Sequence, residues 1–199
     1  MTATLTVVRH GETEWSRALR HTGRTDVPLT DAGRAAASLL RASLGSRKFA
    51  LVLTSPLARA CDTAALAGFP DAHVDADLVE WDYGSYEGRT TAEIQQARPG
   101  WYLWVDGVPG GETLADVGAR VDRVITRVQA ADGDVLAFAH AHVLRILAAR
   151  WLEQPPSFGR HLALDPTTLS VLGWEHDRPC VLRWNAPITD WAAAEARRS

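Results

Sequence analysis

The chain has little cysteine: Cys61 and Cys180 are its only two in 199 residues, far apart and without C-x-x-C spacing. They offer no disulfide framework, and two reduced thiols are the simpler reading. No stretch approaches the roughly 18 consecutive apolar residues of a membrane-spanning helix, so no membrane partner is expected. The N-terminus has neither a basic region nor a long apolar stretch. A secretory signal is therefore not expected, and a cytoplasmic location is. No basic run or stripe occurs and the formal net charge is -3, which argues against a nucleic-acid partner. Internal repeats and low-complexity segments are also absent. What is present is an ordinary globular composition, 46% hydrophobic and 23% charged, in a length that fits one domain.

Hydrophobic periodicity gives an alternation of strands and helices. Short apolar runs at Leu5–Val8, Ala50–Leu53 and Val135–Phe138 read as buried strands, with later strands at Leu169–Trp174 and Val181–Trp184. Helices are expected over Asp31–Leu44, with Thr30 opening it, Ala36, Leu39, Leu40 and Leu44 on one face and Gly45 as its stop. Others fit Leu57–Leu66 after Pro56, Thr113–Ala130, Val143–Leu152 and Ile188–Arg198. Residues 76–112 are irregular and rich in Gly, Pro and Trp, with one short helix announced by the capping box Thr90-Thr91-Ala92-Glu93. The fold class is α/β: a three-layer α/β/α domain over residues 1–199, with a mostly parallel sheet and residues 76–112 inserted as a small cap.

Three strands end in chemistry: Arg9-His10 after the first, Thr54-Ser55 after the second and His140 after the third. Ligands of open α/β sheets bind at the carboxyl edge of the strands. That edge would gather His10, His140 and Arg59, which sits one turn into the helix after the second strand. A phosphate monoester needs guanidinium groups for bidentate hydrogen bonds, a nucleophile, and a proton donor for the leaving oxygen. Arg9 and Arg59 supply a clamp, His10 an imidazole neutral near pH 7, and His140 a partner for the transferring group. Glu80, in the irregular segment, can reach over the site as general acid. Such a clamp would take the place of a metal ion, and no cofactor is expected.

The motifs sharpen this reading. Arg9-His10-Gly11-Glu12-Thr13-Glu14-Trp15 resembles the R-H-G-[EQ]-[ST]-x-W signature of the histidine phosphatase superfamily, phosphoglycerate-mutase-like branch. Leu29-Thr30-Asp31-Ala32-Gly33 is similar to its L-T-x-x-G, and Ser55-Pro56-Leu57-Ala58-Arg59-Ala60 with Thr63 to S-P-L-x-R-A-x-x-T. Leu78-Val79-Glu80 with Gly84, Glu87 and Gly88 resembles L-x-E…G…E-G. Gly110-Gly111-Glu112-Thr113 resembles G-G-E-[ST], and His140 with Leu144-Arg145 resembles H-G-x-x-[LI]-R. The six motifs come in family order across residues 5–150. The resemblance implies that His10 is phosphorylated, that Arg9, Arg59 and His140 form the phosphate pocket, and that Glu80 protonates the leaving group and then activates water. It puts Thr22 and Gly23 near the bound phosphate or substrate. Two positions depart from the pattern. Ser16 stands where the family usually has Asn, and its hydroxyl can still bond phosphate. Ala141 stands where it usually has Gly; its N–H survives, but the methyl group intrudes, and a positive φ there would cost stability.

A mutase must exclude water and hold a second acidic group of its substrate. The phosphoglycerate mutases follow their glutamate with Arg-His-Tyr-Gly; here the run is Glu80-Trp81-Asp82-Tyr83-Gly84. Only 21 residues separate Gly88 from Gly110, with Arg89 and Arg98 their only cations. The expectation is a phosphatase acting on a small-molecule phosphate monoester such as a sugar phosphate. The family's acid phosphatases and sedoheptulose-bisphosphatase members have the most similar stretch at this point. Mutase-type phosphoryl transfer is the alternative, followed by an inactive protein that only binds phosphate esters. The family's frequent dimers make a homodimer possible. Tyr83 is expected beside the substrate. His140-Ala141-His142 as half of a metal site lacks the further His and Asp ligands that such sites need, so no metal is expected. His142 reads as a helix-start residue bonded to a neighbour, and His21 as either a substrate contact or a surface loop residue. Trp81, Trp101 and Trp104 would wall the cleft or pack the cap, and Trp151, Trp174 and Trp184 read as core.

Overall fold

The computed structural model describes residues 3–45 and 47–188. The helix expected over Ile188–Arg198 lies, beyond its first residue, outside the described residues. Six strands form one sheet: β1 (Leu5–Arg9), β2 (Leu51–Thr54), β3 (His73–Val74), β4 (Val135–Ala139), β5 (Leu169–Glu175) and β6 (Arg178–Ala186). Their order is β3-β2-β4-β1-β5-β6. β3, β2, β4 and β1 are parallel, and β5 and β6 close one side as an antiparallel hairpin.

The strands alternate their side chains between two helical layers, as a period of two requires. Leu5, Val7, Val135, Ala137 and Ala139 face α6 (Leu114–Gln129) and α7 (Ala141–Trp151). Val8, Leu136 and Phe138 face α2 (Asp31–Leu44) and α3 (Ala58–Leu66). Both faces are covered, which is why these strands are continuous apolar runs. The remaining helices are short: α1 (Glu14–Arg17), α4 (Thr91–Ala97) and α5 (Leu103–Asp106). Among the described residues no helix is long and apolar enough to cross a membrane.

The buried stripe of α2 is Gly33, Ala37, Leu40 and Leu44. Leu39, assigned to it from the sequence, is 63% exposed. Gly33 belongs to the stripe because a Cβ there would meet the Glu12 carbonyl oxygen at 2.2 Å. A Cβ on Gly11 would meet Gly33 O at 2.7 Å, so the first two motifs need their glycines to pass each other. The helix after Pro56 begins two residues later, at Ala58, and α7 begins two residues earlier than its apolar pattern, directly on Ala141. The capping boxes of α4 and α6 form on Thr90 with Glu93 and on Thr113 with Asp116.

Trp81, Trp101 and Trp104 are buried in the same core as α6 and α7, and none of them lines the cavity beside His10. Of the three tryptophans read as core, Trp151 is buried, whereas Trp174 and Trp184 are only partly covered at the β5–β6 hairpin.

Candidate active site

Beyond the carboxyl ends of the parallel strands, backbone pairing continues for one residue. His10 N donates to Ala139 O at 2.9 Å and Ser55 N to Phe138 O at 2.9 Å. His10, Ser55 and His140 therefore stand side by side on one rim. The His10 and His140 ring centroids are 5.1 Å apart. His10 Nδ1 lies 2.7 Å from Gly11 O. A carbonyl only accepts, so Nδ1 carries the proton and Nε2 keeps a free lone pair. His140 is the opposite tautomer. Arg59 Nε, a pure donor, gives its proton to His140 Nδ1 at 3.1 Å, and His140 Nε2–H donates to Ser55 Oγ at 2.7 Å.

Arg59 is fully buried. Besides His140, its guanidinium donates to Thr25 O at 2.9 Å, Thr22 O at 3.2 Å and Gly23 O at 2.8 Å. The fork anticipated for phosphate thus grips the 22–25 loop and ties it to α3. From above, the Glu87 carboxylate accepts Gly23 N at 2.8 Å and Thr25 N at 3.1 Å. Gly23 is required by closeness: a Cβ there would meet Trp81 O at 2.6 Å. Thr63 links the first and third motifs, since its hydroxyl accepts Gly11 N at 3.0 Å.

Glu80 is 3% exposed and accepts three backbone N–H groups: Trp81 and Val143 at 2.9 Å on Oε1, and His142 at 3.0 Å on Oε2. Two of these come from the first turn of α7, where unpaired N–H groups point out of the helix. The backbone around Glu80 is clamped by an ion pair between the motif residue Glu112, half-buried, and Arg120, a buried arginine that sequence reasoning did not single out. Arg120 donates to Val79 O at 2.6 Å and Asp77 O at 2.7 Å and forks onto Glu112 at 2.9 and 3.1 Å. Glu112 Oε2 in turn accepts Asp82 N at 3.0 Å, and Glu112 O accepts the Trp81 indole at 2.8 Å. This is what the fifth motif's glutamate does: it fixes the segment that carries Glu80.

A cavity of about 360 Å³ opens above His10. Arg9, His10, Glu80, Tyr83 and Ala141 line it, as do Ser16 and Thr22. Arg59, His140 and Gly23 do not; they form the layer beneath. Ser16 has its hydroxyl in the α1 cap, accepting Thr13 N at 2.9 Å and donating to Thr13 O at 3.0 Å. Thr22 Oγ1 donates to Arg20 O at 2.9 Å. Ala141 is the first residue of α7 and has no positive φ, so the methyl group costs no backbone strain. Arg9 donates to Leu164 O at 2.6 Å, and its Nε has no partner.

The structure adds His21, His142, Arg20 and Arg145 to the cavity wall. His142 Nδ1 and Tyr83 OH share a hydrogen bond of 2.7 Å, and the Tyr83 ring lies 5.0 Å from that of His21. Arg145 stands one helical turn after Ala141, a spacing that puts both on one face and was legible in the sequence. Among the described residues, no group of three or more His, Cys, Asp or Glu is gathered as metal ligands.

Burial pushes the His10 imidazole well below its ordinary value, and the Arg9 and Arg59 guanidiniums push it further down. His140 is lowered by burial and then by Arg59, His142 by burial and then by Arg145, and His21 by burial. Burial also raises the Tyr83 phenol well above its usual value, reinforced by Glu80. A histidine with a depressed folded-state pKa remains neutral in the native protein while the unfolded chain takes up protons below about pH 6.5. Stability is then complete above that pH and falls as pH drops through it, by up to about 1.4 kcal/mol per pH unit for each such histidine. Urea unfolding from pH 7.5 to 5.0 is expected to show this loss. A flat profile would mean that the buried rings titrate as they do in the unfolded chain.

Comparison with known proteins places this geometry. The model of the histidine phosphatase superfamily (branch 1) matches residues 5–187. The chain is 41% identical over 176 residues to an acid phosphatase of Mycobacterium tuberculosis, covering 86% of this chain and 87% of that protein. It is 38% identical over 178 residues to sedoheptulose 1,7-bisphosphatase of Saccharomyces cerevisiae, covering 73% of this chain and 66% of that one. The solved structure of an open reading frame from Mycobacterium tuberculosis superimposes with a TM-score of 0.89 at 37% identity, over 94% of this chain and 100% of that one.

Proposed function

The chain belongs to the histidine phosphatase superfamily, branch 1, and from that premise we propose that it hydrolyses small phosphate monoesters, without a metal ion, through a phosphohistidine on His10. The observation that carries this is the His10 Nδ1 contact to Gly11 O at 2.7 Å, which leaves Nε2 as the nucleophile at the floor of the cavity. In the first step Nε2 attacks phosphorus and the ester P–O bond breaks. Glu80 gives its proton to the departing oxygen, so the alcohol leaves neutral. In the second step Glu80 takes a proton from water as the water oxygen attacks phosphorus. The P–N bond breaks, inorganic phosphate leaves and the neutral imidazole returns.

Arg9, in the cavity wall, pairs with the phosphoryl oxygens. Arg59 acts from beneath, adding positive charge, and together with the neutral His140 it braces the rim on which His10 stands. Arg9 and Arg59 have their pKa values lowered by burial, with Glu80 opposing that shift. Both guanidiniums remain cations at any pH of interest, because an arginine titrates far above neutrality. A dianionic phosphate also adds counter-charge to this pair: among the described residues Arg59 has one ion-pair contact, to Asp26 at 3.9 Å, and Arg9 forms none, with the Glu80 carboxylate acting on both from further away.

The test is phosphate release from p-nitrophenyl phosphate in the presence of excess EDTA. Turnover is expected to be the same with and without the chelator, and 3-phosphoglycerate is not expected to be isomerised. Loss of activity in EDTA, or efficient mutase turnover with a bisphosphoglycerate primer, would overturn the proposal.

A further inference from the structure

Arg59 and the loop it grips hold each other from both sides. The guanidinium donates to the carbonyls of Thr22, Gly23 and Thr25. The next residue along that loop, Asp26, returns to the helix that carries Arg59. Its Oδ2 accepts the N–H of Ala58, the first residue of α3, at 3.0 Å. Leu57, in the N-cap position, makes no side-chain cap, so the cap comes from a loop 32 residues earlier. A carboxylate suits that place twice. It satisfies one of the free N–H groups of the first turn, and it faces the positive end of the helix dipole.

The same carboxylate stands beside the guanidinium. Asp26 Oδ1 is 3.9 Å from Arg59 Nη1, with the Asp26 side chain 45% exposed and that of Arg59 fully buried. The negative groups that favour the charged form of Arg59 are Glu80, Asp26, Tyr83 and Glu87. Their ties differ. Glu80 and Tyr83 line the cavity, and Glu87 accepts Gly23 N and Thr25 N. Asp26 does not line the cavity and has no part in the two chemical steps, yet its charge opposes that of Arg59. Such opposition has a use. The phosphate set free in the second step meets the same cations as the ester, and binding that holds both equally gains nothing in turnover.

We propose that Asp26 is a positioning residue for phosphate release: it caps α3 so that Arg59 stays in place, and its charge offsets part of the Arg59 charge so that inorganic phosphate is not retained. This rests on the proposed hydrolysis at His10 and adds to it what limits product binding. Asp26 acts through Arg59 and touches no reacting atom.

The test is the calorimetric Kd of inorganic phosphate for the wild type and for Asp26→Asn. The asparagine oxygen can still accept Ala58 N, so the cap stays and the charge goes. Phosphate is expected to bind roughly two- to fivefold more tightly to the variant, the worth of one partly screened charge a few ångströms from a cation. The gain should shrink in about 0.5 M NaCl, which screens exposed charges. A purely structural role predicts the opposite sign, because a loosened Arg59 would weaken phosphate binding. Asp26→Ala, which loses the cap as well, is expected to melt about 2–4 °C below Asp26→Asn. Should Asp26→Asn not fold, Asp26→Ser is a second neutral cap for the same comparison. Phosphate binding that is unchanged or weaker in the neutral cap variant, or a gain that salt leaves intact, would overturn the charge role. Equal melting temperatures for the Asn and Ala variants would remove the cap. Phosphate binding needs no turnover: if the wild type hydrolyses no monoester, the hydrolase reading fails while the Kd comparison still decides Asp26.

Discussion

His10→Ala is expected to lower phosphate release from every monoester by about 10⁴-fold or more, the scale of removing a covalent nucleophile. Among the described residues the substitution deletes the one ring lining the cavity whose lone pair is fixed by a carbonyl on its other nitrogen. His140 cannot substitute for it. Its Nδ1 is taken by Arg59 and its Nε2–H by Ser55, so it offers no lone pair. Fold stability should survive, because the Arg59–His140–Ser55 set does not depend on His10. Substrate binding should survive too, since Arg9 remains in the cavity wall. The measurement is rapid-quench labelling with a phosphorylated substrate. An acid-labile label is expected on the wild type and none on the variant. A variant that keeps a tenth of wild-type activity would end the phosphohistidine reading.

Glu80→Gln is the second large effect, and its size should depend on the leaving group. A sugar alkoxide is a poor leaving group and needs a proton as the P–O bond breaks. General acid catalysis is worth about 10² to 10⁴ in rate, so a loss of that order is expected for fructose 6-phosphate. p-Nitrophenolate departs as a stable anion, and its loss should be much smaller. The structural part of the change is limited. Glutamine can keep one oxygen for Trp81 N and Val143 N, while its amide nitrogen faces the His142 N–H where Oε2 accepted a bond. A perturbed loop would slow both substrates alike. Equal losses would therefore remove Glu80 as the acid, whereas a leaving-group split would assign it.

The strand positions were legible because their alternation of core contacts does not depend on what packs against them. Helix faces were less so. In α2 the sequence reading put Ala36 and Leu39 on the face of Leu40 and Leu44, whereas the packing of the helix buries Ala37 with Leu40 and leaves Leu39 exposed. β3 was missed because two residues, His73 and Val74, carry no periodicity. The cap tryptophans were ambiguous for a similar reason: a bulky ring beside a cleft looks the same in sequence whether it faces the cleft or the core.

By itself the sequence determined the α/β alternation, the family, and the set of residues at the carboxyl rim, because short motifs fix residue types at strand ends and parallel strands must end together. Only the tertiary structure decided what those residues do for one another. It drew the Arg59 fork onto the 22–25 loop, opposed the tautomers of His10 and His140, and anchored Arg145 in the cavity wall on the Gly159 and Arg160 carbonyls. Each of these depends on a hydrogen-bond partner distant along the chain, and a donor's partner is set by distance in space, which residue order does not encode.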